Sequence, residues 1–453
     1  MTVNPLESWI SLEIGLPRKT VLTRGDIEAW QRVRLQKIVE WSGTHSPFYK
    51  KRLKGLSMPA DADMKSLLRR IPLTTAADLR EKAPDMLCAS QADIRRVVSL
   101  QSSGTSAPPK RLYFTDADLD KTRSFFKHGM RLVAAPDSRI LVLLPGALEN
   151  DAGTLLAAAL NEGPYTARSL WPAHDPRVLA AAVEDFQAGC LIGLPQHILA
   201  LARMQEPARR AAPYVKRVLL CSDYAAPCVR TAISETLDCP VHIHYGSTES
   251  GLGAAVSCSA HSGCHIREND LLFEVVAPET GEKLPEGSDG ELVFTTLTRT
   301  GMPLLRYRTG DFGRITTRRC GCGSILARLD HLAGRMDSRV ALPGGGDLSL
   351  AELDQALLAI SGIAAYEAEL KDPEPADGEP AAGSVLSVTL VPGESFEKKV
   401  TDAARAALDR IPAVKQALTR ERLGIKLDTT QTIREMPHTY KRRVHDRRSG
   451  GRN

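Results

Sequence analysis

Residues Ser102–Lys110 combine small hydroxylated side chains, a glycine and a terminal lysine, a set of residue types that could surround a phosphate group. The small residues let backbone N–H groups turn toward one centre, and the lysine adds a positive charge. Apolar residues within 97–100 and 112–114 predict a strand on each side of this loop. The spacing differs from the Walker motif, because no Gly-Lys-Thr opens a helix. The alternative interpretation is a Ser/Pro-rich surface turn.

A second chemically suggestive stretch is His244–Ser250, which follows a predicted strand over 241–244. Ligands of α/β sheets gather at the carboxyl ends of strands. Glu249 could hold Mg²⁺ through a carboxylate oxygen, and Tyr245 offers a flat face for a purine. The alternative is a turn that caps a helix.

Two further stretches carry charged side chains suited to a nucleotide. Asp311 follows a tight turn, and one carboxylate can accept hydrogen bonds from both hydroxyls of a ribose. A solvated aspartate in a turn is the alternative. The stretch from Arg328 to Asp337 adds Arg335, which is available for a phosphate or a ribose.

Four of the nine cysteines form two close pairs, Cys258 with Cys264 and Cys320 with Cys322. Four thiolates would make a closed, structural zinc site, and His261 and His265 are alternative ligands in the first pair. Unligated thiols are the other interpretation. Disulfides are not expected in the reducing compartment predicted below.

The composition indicates an ordinary globular protein, with 43% hydrophobic and 25% charged residues in a chain long enough for two or three domains. No apolar run reaches the length of a membrane span, and residues 1–15 do not resemble a secretion signal, so a cytoplasmic protein is predicted. The net charge of +5 is too small to indicate nucleic-acid binding. Basic residues nevertheless concentrate near the end of the chain, where a solvated tail is expected: Lys441, Arg442, Arg443, Arg447, Arg448 and Arg452.

The elements that must position these residues predict an α/β fold in two parts. Residues 1 to about 90 have helical patterns, and short buried strands then alternate with helices, which favours helices packed on a largely parallel sheet. Residues from about 256 to 330 predict a β-rich subdomain. We therefore expect a large N-terminal domain of layered sheets and helices over 1–334, and a small, mobile α+β domain over 335–453.

Taken in order, the motifs resemble the adenylate-forming superfamily of acyl-CoA synthetases, adenylation domains and luciferases. The motifs that carry the resemblance are Ser103-Gly104-Thr105-Ser106 with Pro109-Lys110, Tyr245-Gly246-Ser247-Thr248-Glu249, Tyr307-Arg308-Thr309-Gly310-Asp311 and Gly334-Arg335-Met336-Asp337. The chain is more similar to the phenylacetate-CoA ligase branch, through Ser46-Pro47-Phe48-Tyr49, Ile71-Pro72-Leu73-Thr74, Gly290–Thr298 and Pro303–Arg308.

The resemblance implies a role for each matching residue. The loop would grip the β- and γ-phosphates of ATP, Tyr245 would stack near adenine, and Asp311 would hold the ribose with Arg335 close to it. Thr248 and Glu249 would bind the α-phosphate and Mg²⁺. The implied nucleotide site comprises Ser102, Ser103, Gly104, Thr105, Ser106, Lys110, Tyr245, Gly246, Ser247, Thr248, Asp311, Arg328 and Arg335.

The resemblance also implies a moving lid that carries a catalytic lysine. Asp337 would be the hinge, and Lys441 would reach the reacting carboxylate and the α-phosphate, together with Thr248 and Glu249. A positive charge there stabilises a transition state that brings two anions together. Counting back from Val444 would instead put Tyr440 at the position of the lysine, and Ala107 replaces a residue that is usually glycine in the loop.

The predicted function is ATP-dependent activation of an aromatic or arylacetic acid as an acyl-adenylate, followed by transfer to coenzyme A. The alternative within this class is transfer to a carrier-protein thiol or another nucleophile, and a homodimer is left open. The alternative from another class is a non-catalytic nucleotide- or nucleic-acid-binding protein that uses the basic tail. That protein would bind polynucleotides in a salt-sensitive manner and would not exchange pyrophosphate into ATP.

Overall fold

The structure is a computed structural model that describes residues 4–18, 20–59, 62–100, 109–146, 151–373, 383–394, 398–430 and 442–448. Ser102–Ser106 of the predicted phosphate loop and the predicted catalytic Lys441 lie outside the described residues. The chain divides into two compact units. Unit 1 comprises Met1–Asp137, Leu148–Tyr165 and His242–Ala333, and unit 2 comprises Ser138–Ala147, Thr166–Val241 and Gly334–Asn453.

The described α-helices are α1 (Pro5–Glu13), α2 (Arg24–His45), α3 (Pro47–Arg52), α4 (Met64–Arg70), α5 (Ala76–Glu81), α6 (Asp116–Met130), α7 (Ala152–Asn161), α8 (Pro176–Phe186), α9 (Pro195–Ala202), α10 (Gln205–Ala211), α11 (Pro227–Leu237), α12 (Leu350–Leu357), α13 (Lys398–Leu408) and α14 (Pro412–Thr419).

The described strands are β1 (Ile94–Leu100), β2 (Lys110–Thr115), β3 (Arg139–Leu143), β4 (Thr166–Ser169), β5 (Cys190–Gly193), β6 (Arg217–Leu220), β7 (Val241–Tyr245), β8 (Ala255–Ser257), β9 (Cys264–Ile266), β10 (Leu271–Val276), β11 (Asp289–Thr296), β12 (Tyr307–Thr316), β13 (Arg328–Arg335), β14 (Arg339–Ala341), β15 (Asp347–Ser349), β16 (Ile363–Lys371), β17 (Ser384–Pro392), β18 (Leu423–Thr429) and β19 (Val444–Asp446).

Unit 1 is built around a mostly antiparallel sheet with the strand order β10-β11-β12-β13-β9-β8-β7. This sheet confirms the predicted β-rich character of the region after residue 256. Its buried apolar side chains form one core, against which Tyr245 packs: Ala255, Cys264, Ile266, Val275, Leu292, Ala327 and Leu329. A separate antiparallel pair, β1 with β2, confirms the predicted strands on either side of the phosphate loop.

The first helix of unit 1 is tied to a distant loop of the same unit. The Glu7 carboxylate accepts hydrogen bonds from the Ser324 hydroxyl at 2.7 Å and from the Ile325 backbone N–H. The Asn4 amide lies 3.6 Å from the Cys322 sulfur. Helix α1 therefore has partners more than 300 residues later in the chain.

Unit 2 contains the parallel sheet that the alternation of strands and helices predicts. Its strand order is β6-β5-β3-β4, and every pairing is parallel. Residues 140–143 of β3 are all buried, as expected when helices cover both faces of a sheet. The carboxyl ends of these strands lie along one edge, which in such sheets is the edge that binds ligands.

Unit 2 also contains a mixed sheet with the order β18-β17-β16-β19. A capping box forms at Ser349 and Glu352, where α12 begins. The predicted domain limits at 334 and 335 stay a prediction.

The helices described here include none whose length and apolar content would let it cross a membrane.

Candidate active site

Tyr245 and Asp311, which the sequence analysis singled out, are hydrogen-bonded to each other in unit 1. Tyr245 ends β7, and its hydroxyl donates a hydrogen bond of 2.7 Å to Oδ2 of Asp311, which lies on β12. Gly246 follows Tyr245 in a tight turn, where an added Cβ would lie only 2.7 Å from the Leu252 carbonyl oxygen. Gly310 has a φ of +74°, which places the Asp311 carboxylate after a left-handed residue.

Glu249 is the buried carboxylate of the site, with 4% of its surface exposed. Its Oε1 contacts the Lys110 ammonium and accepts a hydrogen bond of 3.1 Å from the Tyr307 hydroxyl. Lys110 begins β2, directly after the phosphate-loop stretch, and Tyr307 begins β12. The structure therefore brings residues from three of the motifs, which are far apart in sequence, to one carboxylate.

The turn that carries Thr248 is held by Ser247 and Ser250. The Ser247 N–H donates to the Ser250 hydroxyl at 3.0 Å, and the Ser250 N–H donates to the Ser247 hydroxyl at 3.2 Å. The Thr248 carbonyl accepts the Gly251 N–H at 3.0 Å, and the Thr248 side chain is half-buried. These bonds fix the backbone on either side of Thr248 and Glu249.

Two motifs near the start of the chain hold the beginning of β12 in place. The Tyr49 hydroxyl lies 3.2 Å from the Thr74 hydroxyl and accepts the Leu305 N–H at 3.0 Å. Burial raises the pKa of Tyr49 to about 12, so the hydroxyl stays protonated. The neighbouring Arg306 pairs with the buried Glu274 through contacts of 2.6 and 3.1 Å. These contacts position Tyr307 for its bond to Glu249.

Arg299 belongs to the site, although the sequence did not single it out. It is buried, and its Nη1 donates a hydrogen bond of 2.8 Å to the Glu249 carbonyl oxygen. Its guanidinium carbon lies 5.0 Å from the centre of the Phe114 ring. Burial lowers the pKa of Arg299, and the carboxylates of Asp118, Asp270 and Glu249 oppose that shift.

The remaining predicted nucleotide residues lie in other surroundings. Arg328, at the start of β13, donates hydrogen bonds to Ser262 and to the Arg318 carbonyl oxygen at 3.2 Å, among the cysteine loops. The guanidinium is engaged by those two loops, and its contact with a nucleotide stays a prediction. Arg335 ends β13 and is half-buried, and Asp337 lies in the short 3₁₀ turn Met336–Ser338.

Four metal-ligand atoms cluster where the cysteine pairs meet. They belong to Cys258, His265, Cys320 and Cys322 and all lie within 4.8 Å of one another. The Cys258 and Cys320 sulfurs are 3.7 Å apart, and the Cys322 sulfur is 3.4 Å from Nε2 of His265. Tetrahedral zinc with Zn–S bonds of 2.3 Å would require sulfurs about 3.8 Å apart. The arrangement therefore fits a zinc ion.

The predicted ligand Cys264 is not part of this cluster. Its sulfur lies 3.5 Å from the Ile243 carbonyl oxygen. Successive residues of a strand point to opposite faces, so on β9 His265 faces the cysteines and Cys264 faces away. Burial lowers the pKa of His265 to about 4, which keeps the imidazole neutral, as metal binding requires.

The arrangement around Glu249 suits a reaction between anions. Lys110 and Arg299 supply positive charge, Glu249 supplies a carboxylate, and Asp311 supplies acceptors for hydroxyl groups. All of them are in unit 1: Lys110 begins β2, Glu249 lies in the turn after β7, Arg299 lies after β11 and Asp311 lies within β12.

The chain is similar in sequence to a known enzyme family and to coenzyme A ligases. Residues 61–298 match the family described as "AMP-binding enzyme". A phenylacetate-coenzyme A ligase from Thermus thermophilus is 30% identical over 353 residues, which is 72% of this chain and 74% of that protein. The phenylacetate-coenzyme A ligase of Escherichia coli is 27% identical over 70% of this chain and 73% of its own length.

Among solved structures, the chain is similar to 2-hydroxyisobutyryl-CoA ligase in the postadenylation state, in complex with 2-HIB-AMP. The TM-score is 0.74 at 19% identity, over 97% of this chain and 94% of that one. This similarity concerns the fold.

Proposed function

The chain belongs to the AMP-binding enzyme family, and we propose that it is an ATP-dependent acid–CoA ligase in which the buried Glu249 organises the adenylation site. A carboxylate attacks the α-phosphate of ATP, pyrophosphate leaves, and the acyl-adenylate then gives its acyl group to the thiol of coenzyme A while AMP departs. The observation that carries the proposal is the meeting of Lys110, Tyr307 and Arg299 at Glu249, 4% exposed, beside the Tyr245–Asp311 pair.

Each of these residues has a proposed task. Asp311 accepts hydrogen bonds from the ribose hydroxyls, and its bond to the Tyr245 hydroxyl fixes the tyrosine ring for stacking on adenine. Lys110 sits where the phosphate loop ends, so its ammonium can meet the phosphates that leave. The proposed loop contacts come from Ser102, Ser103, Gly104, Thr105 and Ser106, and the proposed turn contacts come from Gly246, Ser247 and Thr248.

Glu249 is the residue that would hold Mg²⁺, whose bound form neutralises phosphate charge. The fit is supported by the carboxylate oxygens of Glu249, which are ligands that Mg²⁺ prefers, and by the burial of this residue. Lys441 is proposed to supply the positive charge between the attacking carboxylate and the α-phosphate.

The proposed acid is aromatic or arylacetic, because the relatives at 27–30% identity are phenylacetate-coenzyme A ligases by name. Its proposed walls are 144–153 and 222–226. The described parts of both segments follow β3 and β6 of the parallel sheet, at the edge expected to bind ligands. A hinge at Asp337, with 335–453 as the moving part, is proposed to separate the two half-reactions.

Zinc is proposed as a structural ion held by Cys258, His265, Cys320 and Cys322. Four protein ligands leave no position for substrate, so this ion would serve folding and would take no part in the reaction. The sulfur and nitrogen separations support the proposal.

The proposed compartment is the cytoplasm, where ATP and coenzyme A are both present and thiols stay reduced. A carrier-protein thiol remains the alternative acceptor. A homodimer is a further possibility that a sedimentation experiment would decide.

The test is acid-dependent exchange of labelled pyrophosphate into ATP, over a panel of aryl, arylacetic, fatty and amino acids. We expect exchange with at least one aryl or arylacetic acid, and then acyl-CoA and AMP as products when coenzyme A is added. If folded protein that binds ATP shows no pyrophosphate exchange with any acid of the panel, the proposed ligase function is wrong. Exchange without acyl-CoA, but with acylation of a pantetheine-bearing protein, would instead support the alternative acceptor.

A further inference from the structure

The turn that carries Glu249 binds some of its own carbonyl groups and leaves the others to side chains of distant elements. Within the turn, the Ser247 carbonyl accepts the Leu252 N–H at 2.8 Å, and the Thr248 carbonyl accepts the Gly251 N–H at 3.0 Å. The next three residues, 249–251, are buried, and buried carbonyl groups require hydrogen-bond donors. Side chains from three other elements of unit 1 supply them.

Two buried arginines bind two consecutive carbonyls of this turn. Nη1 of Arg299, which follows β11, donates to the Glu249 carbonyl oxygen at 2.8 Å. Nη2 of Arg267, which follows β9, donates to the Ser250 carbonyl oxygen. Both guanidinium groups reach the same residue, because a Cβ added to Gly251 would lie 2.9 Å from Nη2 of Arg299 and 3.0 Å from Nη2 of Arg267. The turn is therefore held between two positive charges.

Thr122 of α6 supplies the third donor. Its hydroxyl lies 3.0 Å from the Gly251 carbonyl oxygen and 3.4 Å from the Asp118 carbonyl oxygen of its own helix. The Thr122 side chain is buried. Three consecutive carbonyls are thus bound from α6 and from the segments after β9 and β11, which together fix the orientation of the turn backbone.

The two guanidinium groups are themselves held in place. The guanidinium carbon of Arg267 lies 5.2 Å from the centre of the Phe125 ring, and that of Arg299 lies 5.0 Å from the centre of the Phe114 ring. Nη2 of Arg267 also pairs with Oδ2 of Asp270 at 3.1 Å. Stacking on an aromatic ring and pairing with a carboxylate restrict an arginine side chain to one arrangement.

Arg267 is more costly than a purely structural anchor needs to be. It is 1% exposed, and in the part of the chain that the structure describes its Nε and Nη1 have no hydrogen-bond partner. Buried charged donors without partners lower the stability of the folded protein. A neutral donor such as Thr122 binds a carbonyl without that cost. The charge at Arg267 therefore indicates a role beyond folding.

That role follows from the position of Glu249 within the turn. Its carboxylate meets Lys110 and Tyr307 through Oε1, while its backbone carbonyl is bound by Arg299. Because the carboxylate extends from this backbone, a rotation of the turn would move both carboxylate oxygens. Groups that orient a metal-binding side chain in this way contribute to metal affinity without contacting the metal.

We propose that Arg267 and Thr122, together with Arg299, are positioning residues that fix the turn 247–251 so that Glu249 presents its carboxylate to Mg²⁺ bound with ATP. They act through the turn backbone. The inference rests on the proposed function of Glu249 in the adenylation site.

The test measures how acid-dependent pyrophosphate exchange by the full-length protein depends on Mg²⁺. Arg267→Gln should raise the Mg²⁺ concentration for half-maximal exchange by about tenfold, the usual cost of removing a group that orients a metal ligand, with little change of the rate at saturating Mg²⁺. Arg267→Lys keeps a charged donor and should show a smaller rise. Arg314→Gln is the matched control, because Arg314 lies on β12 of the same sheet with its side chain 37% exposed.

Thr122→Val provides a second variant if Arg267→Gln fails to fold, because it keeps the shape of the side chain and removes one neutral donor. It should also raise the Mg²⁺ requirement, by less than Arg267→Gln. An unchanged Mg²⁺ requirement in the folded variants would overturn the inference. A lower rate at every Mg²⁺ concentration, with the same half-maximal concentration, would overturn it too, because it would indicate a merely structural contact.

Hydrogen–deuterium exchange tests the anchors in protein without metal or nucleotide. In Arg267→Gln, the amides of 250–252 should exchange several-fold faster than in the wild type, while those of β5 stay unchanged. Equal exchange of 250–252 in both proteins would overturn the inference alone. A wild-type protein without pyrophosphate exchange would overturn the ligase function, and this inference with it.

Discussion

Glu249 is the residue on which the proposed chemistry depends, because two donors from different strands converge on one of its oxygens. The Lys110 ammonium and the Tyr307 hydroxyl both contact Oε1, and Arg299 holds the backbone carbonyl of the same residue. A carboxylate held in this way costs little reorganisation when phosphate charge redistributes in the transition state.

Glu249→Gln keeps the shape of the side chain and removes its charge. We expect the kcat of acid-dependent pyrophosphate exchange to fall by about 10²–10³-fold, the usual cost of removing one preorganised electrostatic group. The melting temperature shows whether the variant is folded. Glu282→Gln, at an exposed glutamate, is the control. If the kcat of the Glu249→Gln enzyme is within twofold of the wild-type value, Glu249 has no role in the mechanism.

Residue types in the sequence were sufficient to indicate Tyr245 and Glu249, which lie at the end of a predicted strand and in the turn after it. Asp311 was indicated by its carboxylate and the preceding Gly310, although it lies within β12. Arg299 had no such local signal. It is a single basic residue between two threonines, and its partner Glu249 is 50 positions earlier. Only the folded sheet brings the two together.

At the scale of elements, strand β9 decides the composition of the cysteine cluster. Spacing alone paired Cys258 with Cys264, because the short strand Cys264–Ile266 was not predicted. Because successive side chains of a strand point to opposite faces, Cys264 packs in the apolar core and His265 lies with the other three ligands. The alternative ligand named from sequence is therefore the one in the cluster.

This assignment gives a matched pair of variants for the metal. Purified protein should contain about one equivalent of zinc. Cys322→Ser should lose it and unfold at a lower temperature, because a structural zinc site contributes folding energy. Cys264→Ser, one residue from a proposed ligand, should keep its zinc. Elemental analysis and thermal unfolding are the measurements. Loss of zinc from both variants, or from neither, would contradict the ligand set.

At the scale of the whole molecule, each unit buries a histidine that stays uncharged in the folded protein. Burial lowers the pKa of His244 in unit 1 and of His197 in unit 2 to about 4, from 6.5. The unfolded chain therefore binds protons between pH 6.5 and 4 that the folded protein does not bind. Stability is fully present above pH 6.5 and is lost as the pH falls toward 4, by about 1.4 kcal/mol per pH unit for each histidine.

His197→Gln should accordingly reduce the pH dependence of the free energy of unfolding between pH 6.5 and 4 by about one proton. Denaturant unfolding at a series of pH values measures it. His331→Gln is the control, since that ring is 46% exposed. An unchanged slope in His197→Gln would show that this histidine is not neutral in the folded protein.

The larger architecture followed from sequence more readily than the contacts between distant segments. Alternating buried strands and helices predicted the parallel sheet of unit 2, and turn-rich strands predicted the sheet of unit 1. The prediction of a solvated basic tail is wrong at Arg442, because its guanidinium binds the carboxylates of Asp223 and Asp354, which are distant in sequence.

The contacts of α1 determine when, during synthesis of the chain, this helix can dock. Glu7 leaves the ribosome more than 300 residues before its partners Ser324 and Ile325. At the usual 5–20 residues per second, that interval is on the order of 15–60 seconds. During this time α1 lacks the partners that hold it in the finished structure. Docking of this helix can therefore be completed only after the loop that carries Cys320 and Cys322 has emerged.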